Sequence, residues 1–442
     1  MQKYPPNNAD LISRSLSAVW HPCSQMKQYE TFPLIPIARG QGVWLYDFDG
    51  KKYLDAVSSW WVNLFGHCNP RINAALREQL EKLEHVMLAG FTHEPVVQLS
   101  ERLRELAPSG LGHCFYGSDG ASATEIALKM SAHYWRNTGY TTKTNFISLQ
   151  NSYHGETLGA LSVTDVALFR DAYGPLVRQQ ATVMSPDSRN AAEGESGEAY
   201  ALRCAAALDE HLQQHHTQLA AFIIEPLVQG AAGMAMYHPI YLKLARQLCD
   251  QYDVHLIADE IAVGMGRTGT MFACEQGGIT PDFLLISKGI TGGYLPLSVV
   301  MTTDDIYQAF YDIDTTRGFL HSHSYTGNPL ACRAALATLD IFRQDDVLAV
   351  NRHKADFFNH IAKPLRELPR IKNWRNTGMI WAFEAVSPHA DFAQRCFQLG
   401  LQHELLLRPM GNTVYFMPPY NIDEDEMRQL LERTRLIVEA LS

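Results

Sequence analysis

Four short apolar runs constrain this chain more than any other feature. HCFYG, AFIIEP, VHLIADE and DFLLISKG each have the composition of a buried strand and end in a polar or small residue. Between AFIIEP and VHLIADE lies YLKLARQLCDQY, where Tyr241, Leu244, Ala245 and Leu248 share a helical face. Strand–helix–strand alternation predicts an α/β fold whose mostly parallel sheet is covered on both sides. Ligands in such sheets bind beyond the carboxyl ends of the strands. Asp259 closes VHLIAD and Lys288 follows FLLIS, so both fall there.

The flanking texture differs. Alternating apolar residues around Asp49-Gly50 predict a β-hairpin. Helical faces follow at Ile72, Leu76, Leu80, Leu83 and at Val96, Leu99, Leu103, Leu106. GMIWAFEA and NTVYFMPP predict strands of a smaller α+β unit, ending in a helix from Glu424 to Leu441. The expected organisation is residues 1–60 as the N-terminal part of the small domain, 61–334 as the large domain and 335–442 as the rest of the small one. PDSRNAAEGESGEAY is expected to be a surface loop.

A net charge of −10 argues against a nucleic-acid partner, which calls for a basic face. No apolar run is long enough for a membrane span. MQKYPPNNAD lacks a charged-then-apolar leader, and the eight cysteines form no C-x-x-C pair, so a cytoplasmic location with reduced thiols is expected.

A lysine at a strand end before GITGG, partly desolvated, has its pKa lowered and can attack an aldehyde. A surface lysine on a loop is the bland alternative. A carboxylate at the end of a buried strand, as at Asp259, needs a positive partner or serves as a helix cap. FYGSDGASATEIALKM reads as strand, turn and helix, whose first amides near Gly120 and Ala121 suit an anion. Tyr153, in NSYHGETLGA, offers a ring to a flat ligand or to the core. His321 and His323 form an H-x-H without an acidic or cysteine ligand at a telling spacing, so no metal site is expected.

Taken in order, SDGASATEIALKM, NSYHGETLGA, IIEP, LIADEIAVGMGRTG and ISKGITGG resemble the class III aminotransferases. The resemblance implies the type I pyridoxal-phosphate transferase fold, with a small domain built from the N- and C-terminal segments, and pyridoxal 5'-phosphate as cofactor. It implies Lys288 as the Schiff-base lysine, Asp259 as partner of the ring nitrogen, Tyr153 stacked on the ring, and Gly120 and Ala121 at the phosphate. Ser324, in HSHSYTGN, would reach the phosphate of the other subunit of a homodimer. Glu225 and Glu156 are expected near the site.

Outside these blocks, W-H-P, S-S-W-W, H-V-M, R-P-M-G and Y-F-M-P-P resemble the branch acting in biotin biosynthesis. The implied reaction converts 8-amino-7-oxononanoate to 7,8-diaminononanoate, with S-adenosylmethionine or, in another branch, lysine as donor. Trp60 offers an apolar wall to a long chain and Arg408 a clamp for its carboxylate. Tyr415 would border the same chain and Arg267 is a second anion-binding candidate, for the donor. One of Trp60 and Trp61 is expected to be core. Cys23 replaces an aromatic residue usual after W-H-P, and Ala121 replaces a serine. The alternatives are an ω-aminotransferase for a diamine or ω-amino acid, another reaction on the same cofactor, and a non-catalytic binder.

Overall fold

The computed structural model describes residues 7–32 and 34–441. The segment MQKYPP, part of the stretch read for a leader, lies outside them. The chain divides into two compact units: a small one from the described residues of Met1–Pro70, Asp356–Trp374 and Phe383–Ser442, and a large one from Arg71–Ala355 and Arg375–Ala382.

In the small unit a helix, Asn8–Ala18, precedes strands β1 (Ile37–Gln41), β2 (Trp44–Asp47) and β3 (Lys52–Asp55), an antiparallel meander whose second turn carries Asp49-Gly50. In the large unit follow β4 (Leu111–Gly117), β5 (Asn145–Leu149), β6 (Ala181–Val183), β7 (Leu219–Ile224), the short pair β8 (Val228–Gln229) and β9 (Ala235–Met236), then β10 (His255–Asp259), β11 (Phe283–Ile286) and β12 (Ser298–Thr303). Seven of these form one sheet in the order β4-β12-β11-β10-β7-β5-β6. Strand β12 runs antiparallel to both neighbours, and every other pairing is parallel. The four apolar runs are thus β4, β7, β10 and β11.

Strand β10 lies between two parallel neighbours, so both its edges are hydrogen-bonded and all five residues are buried. Helix Gly120–Asn137 packs Ala123, Ile126 and Met130 against the sheet core of Ile223, Ile257, Phe283, Leu285 and Val300. Each large apolar side chain buried there contributes roughly 1.5–3 kcal/mol.

Two of the three helix faces are rotated from the expected ones, and the third, Val96, Leu99 and Leu103, is as expected up to its last residue. Pro70–Leu80 buries Ile72, Ala75 and Gln79, while Leu80 is exposed. Glu94–Leu106 buries Val96, Leu99 and Leu103 but leaves Leu106 exposed. Ile240–Gln251 buries Tyr241, Leu242, Ala245 and Cys249. An apolar residue at either edge of a stripe satisfies the same periodicity, and tertiary packing decides which edge is covered. The supposed loop at 186–200 ends as helix, because Ser196 caps Gly197–His215 by accepting from Ala199 N.

Strands β13 (Ile371–Thr377) and β14 (Ile380–Ala385) run through the division between units. In the small unit β15 (Leu405–Leu406) pairs in parallel with β3, Leu405 opposite Leu54 and Leu406 opposite Asp55. Strand β16 (Thr413–Phe416) and the C-terminal helix Glu424–Ala440, capped by Asp423, complete the unit. Among the described residues no helix is long and apolar enough to cross a membrane.

Candidate active site

In the large unit, Asp259 and Lys288 leave adjacent parallel strands at the same end, since Asp259 pairs with Leu285 of β11. Lys288 adopts φ 47° and is half-buried. Loss of solvation pulls its amine down to about 8, against the opposing pull of Asp259 and Glu225. A positive φ at a lysine is uncommon and fits a side chain aimed by its turn.

Asp259 is buried. Its Oδ1 accepts from Ile261 N (3.1 Å) and its Oδ2 lies 2.7 Å from His154 Nδ1. His154 is itself buried, its backbone fixed by Thr164 Oγ1 on the amide and Thr124 Oγ1 on the carbonyl. The neighbouring Tyr153 gives its amide to Glu225 Oε2 (3.1 Å) and its hydroxyl to Glu156 Oε1 (2.8 Å). Glu225 also accepts from Gly230 N. Burial pushes its carboxyl up to about 7, and the Asp259 charge adds to the rise.

The turn before helix Gly120–Asn137 is capped by Asp119, which accepts from Ser122 N. Among the described residues the amides of Gly120 and Ala121 donate to no protein acceptor. They are the first amides of an eighteen-residue helix, where an anion is favoured. A Cβ at Gly120 would stand 2.9 Å from Ile261 Cγ2, so this turn lies against the segment leaving Asp259. A Cβ at Gly155 (φ +118°) would lie 2.6 Å from Ala121 Cβ. The turn therefore abuts the Tyr153–His154 loop. These residues fit pyridoxal phosphate: amides for its phosphate, a carboxylate for its ring nitrogen, a desolvated amine for its aldehyde.

Ser324 is exposed on the loop before helix Pro329–Gln344. His321 and His323 approach through their Nε2 atoms (3.3 Å), and Lys129 Nζ donates to His321 Nδ1. Arg267 is wholly buried, its carbonyl accepting from Met379 N (2.9 Å).

In the small unit, the parallel pairing of β3 and β15 sends the segments after Asp55 and Leu406 in the same direction. The Arg408 guanidinium consequently stacks over the Trp60 ring, 4.4 Å from its centroid. Trp60 is 43% exposed and Trp61 only 7%. Trp61 Nε1 donates to Tyr415 OH (3.2 Å), and Tyr415 is buried, its hydroxyl pushed up to about 12 by desolvation. Ser58–Trp61 form a left-handed turn, with φ of 51°, 47°, 72° and 72°. Such a conformation costs about 1–2 kcal/mol for each L-residue. Cys23 is exposed.

His154 as the partner of Asp259 escaped the sequence analysis, because the two stand 105 residues apart. Its only signal was adjacency to Tyr153.

A strand-end lysine, a strand-end carboxylate and a helix-start anion cradle on a mostly parallel sheet define a type I pyridoxal-phosphate transferase. The class III aminotransferase model matches residues 25–438, and the chain belongs to that pyridoxal-phosphate-dependent family. It is 47% identical to the adenosylmethionine-8-amino-7-oxononanoate aminotransferase of Helicobacter pylori, over 95% of each chain. It is 40% identical to the enzyme of that name from Geobacter sulfurreducens, over 94% of each. The crystal structure of the like-named Methanocaldococcus jannaschii enzyme superposes with a TM-score of 0.91 at 34% identity, covering 98% of this chain and 99% of that one. An amine transaminase from an uncultivated Pseudomonas species, in its PLP-bound form, gives 0.90 at 29% identity, covering 96% and 99%.

Proposed function

We propose that this chain aminates 8-amino-7-oxononanoate to 7,8-diaminononanoate in biotin biosynthesis, taking the amino group from S-adenosylmethionine. The observation that carries the substrate is the guanidinium–indole pair of Arg408 and Trp60. A solvent-facing guanidinium grips a carboxylate through two parallel hydrogen bonds, and an indole face shelters methylenes. The relatives' names point to the same acceptor.

Pyridoxal phosphate, when bound, supplies the electron sink and carries the amino group between half-reactions. Lys288 Nζ moves the proton at the reacting substrate carbon. Asp259, oriented by His154, would hold the cofactor's ring nitrogen and favour its protonated form. Tyr153, its backbone amide held by Glu225, would offer its ring to the cofactor's. The amides of Gly120 and Ala121 bind the phosphate. Arg267 is the candidate for the donor's carboxylate.

The working unit of the proposal is a homodimer in which Ser324 completes the partner's phosphate site. Ile313, Leu320 and Tyr325, exposed apolar residues of the same stretch of chain, support a covering copy. The eight free cysteines suit the cytoplasm.

A second donor reading, lysine, draws on Cys23, which stands where an aromatic residue is usual after W-H-P. The test adds each donor separately to the cofactor-bound enzyme and follows loss of its visible absorption, then adds 8-amino-7-oxononanoate to restore it. Loss with S-adenosylmethionine and recovery with the keto acid are expected. Loss with lysine alone transfers the donor role to lysine. Recovery only with other ω-keto acceptors sinks the biotin assignment.

A further inference from the structure

Trp60 and Trp61 are chain neighbours with opposite fates, and the left-handed turn between Ser58 and Trp61 separates them. L-residues hold that hand over four positions only where their surroundings over-determine it. The surroundings here are a closed hydrogen-bond network around Asp55, the last residue of β3, which is fully buried. Its Oδ1 accepts from Val57 N (3.3 Å). Its Oδ2 accepts from Ser59 Oγ (2.7 Å) and lies 3.1 Å from His67 Nε2. His67 Nδ1 lies 3.0 Å from Asn63 Nδ2. One tautomer satisfies both contacts: Nε2–H donates to Asp55, and Nδ1 accepts from the amide. Room for the imidazole exists because position 40 is glycine; a Cβ there would stand 2.6 Å from His67 Cβ. Ser58 Oγ ties the other side of the turn to the Met417 carbonyl (2.7 Å).

We propose that Asp55, Ser59 and His67 are positioning residues for acceptor specificity. They hold the left-handed turn that seats the Trp60 ring against the Arg408 guanidinium, and so set where the acceptor's carboxylate and adjoining methylenes rest. The proposal relies on the assignment of Trp60 and Arg408 to the acceptor. Its physical content is that ring and guanidinium belong to different strand exits and keep register only while the turn keeps its hand. Asp55→Asn retains the side chain's shape and one acceptor oxygen, but places an N–H₂ where Ser59 and His67 donate.

The two half-reactions of the cofactor-bound enzyme separate this role from a general structural one. With Asp55→Asn, recovery of visible absorption by 8-amino-7-oxononanoate is expected to show KM raised about tenfold. Loss of absorption with the donor should stay within about twofold of the original enzyme. Preference for that acceptor over shorter ω-keto acids should shrink in parallel. Equal changes in both half-reactions, or an unchanged KM for the acceptor, overturn the proposal. If Asp55→Asn does not fold, Ser59→Ala removes one part-buried hydrogen bond and is read by the same split. If the unsubstituted enzyme rejects 8-amino-7-oxononanoate, the biotin assignment falls. The split is then measured on the same variants with the ω-keto acid that the enzyme does accept.

Discussion

Removing the cofactor makes the amine of Lys288 available as a direct probe of the site. Desolvation brings that amine from 10.5 to about 8. At pH 7 about one molecule in ten then carries a neutral, nucleophilic lysine, compared with about one in three thousand for a solvated side chain, a gain of roughly 300-fold. The cofactor-free protein is to be mixed with pyridoxal, which lacks the phosphate, across pH 6 to 11. The adduct is trapped by reduction and quantified on the Lys288 peptide by mass spectrometry. The initial rate should climb with pH and level off with a midpoint near 8. Asp259 and Glu225 both oppose the shift. Asp259→Asn and Glu225→Gln should therefore each move the midpoint lower still, because each removes a negative neighbour that favours the ammonium. A midpoint near that of a free lysine would refute the desolvated nucleophile. A midpoint that rises in Asp259→Asn would refute the electrostatic arrangement.

Two further outcomes follow from packing. His255 is buried between Ser131, Trp135 and Phe283, and loss of solvation pulls its imidazole down to about 4. The folded protein keeps it neutral while the unfolded chain protonates it, so stability is lost as pH falls from about 6.5 towards 4, by about 3 kcal/mol. Urea unfolding at pH 7 and pH 4.5, set against His255→Phe, isolates this contribution. Glu225 and Glu260, both held near 7 by burial, act in the opposite sense, and an identical pH dependence in the variant would rule His255 out. Gly155→Ala forces a Cβ to 2.6 Å from Ala121 Cβ at φ +118°. It should weaken pyridoxal-phosphate binding by at least about tenfold in a fluorescence titration, because the phosphate turn must shift. Unchanged affinity would show that the phosphate is held elsewhere.

The amino-acid sequence alone determined the class of fold and the residues at the strand ends. Buried strands separated by amphipathic helices leave few alternatives to a covered, mostly parallel sheet, and a lysine or aspartate directly after such a strand has its position set by local chain geometry. For the same reason the turn at Gly120 was legible: its strand, cap and helix are contiguous. Tertiary structure decided what contiguity does not carry. The antiparallel sense of β12 depends on how the chain crosses the sheet, and the buried edge of each helix depends on what packs against it. The His154–Asp259 contact joins two loops that meet only because β10 and its neighbours place them together. Trp60 and Trp61 are identical in composition and adjacent in the chain. Only the left-handed turn, held by Asp55 and by strand β15 lying parallel to β3, sends one ring to Arg408 and the other into the core, since backbone handedness is imposed by contacts from distant segments rather than by local propensity.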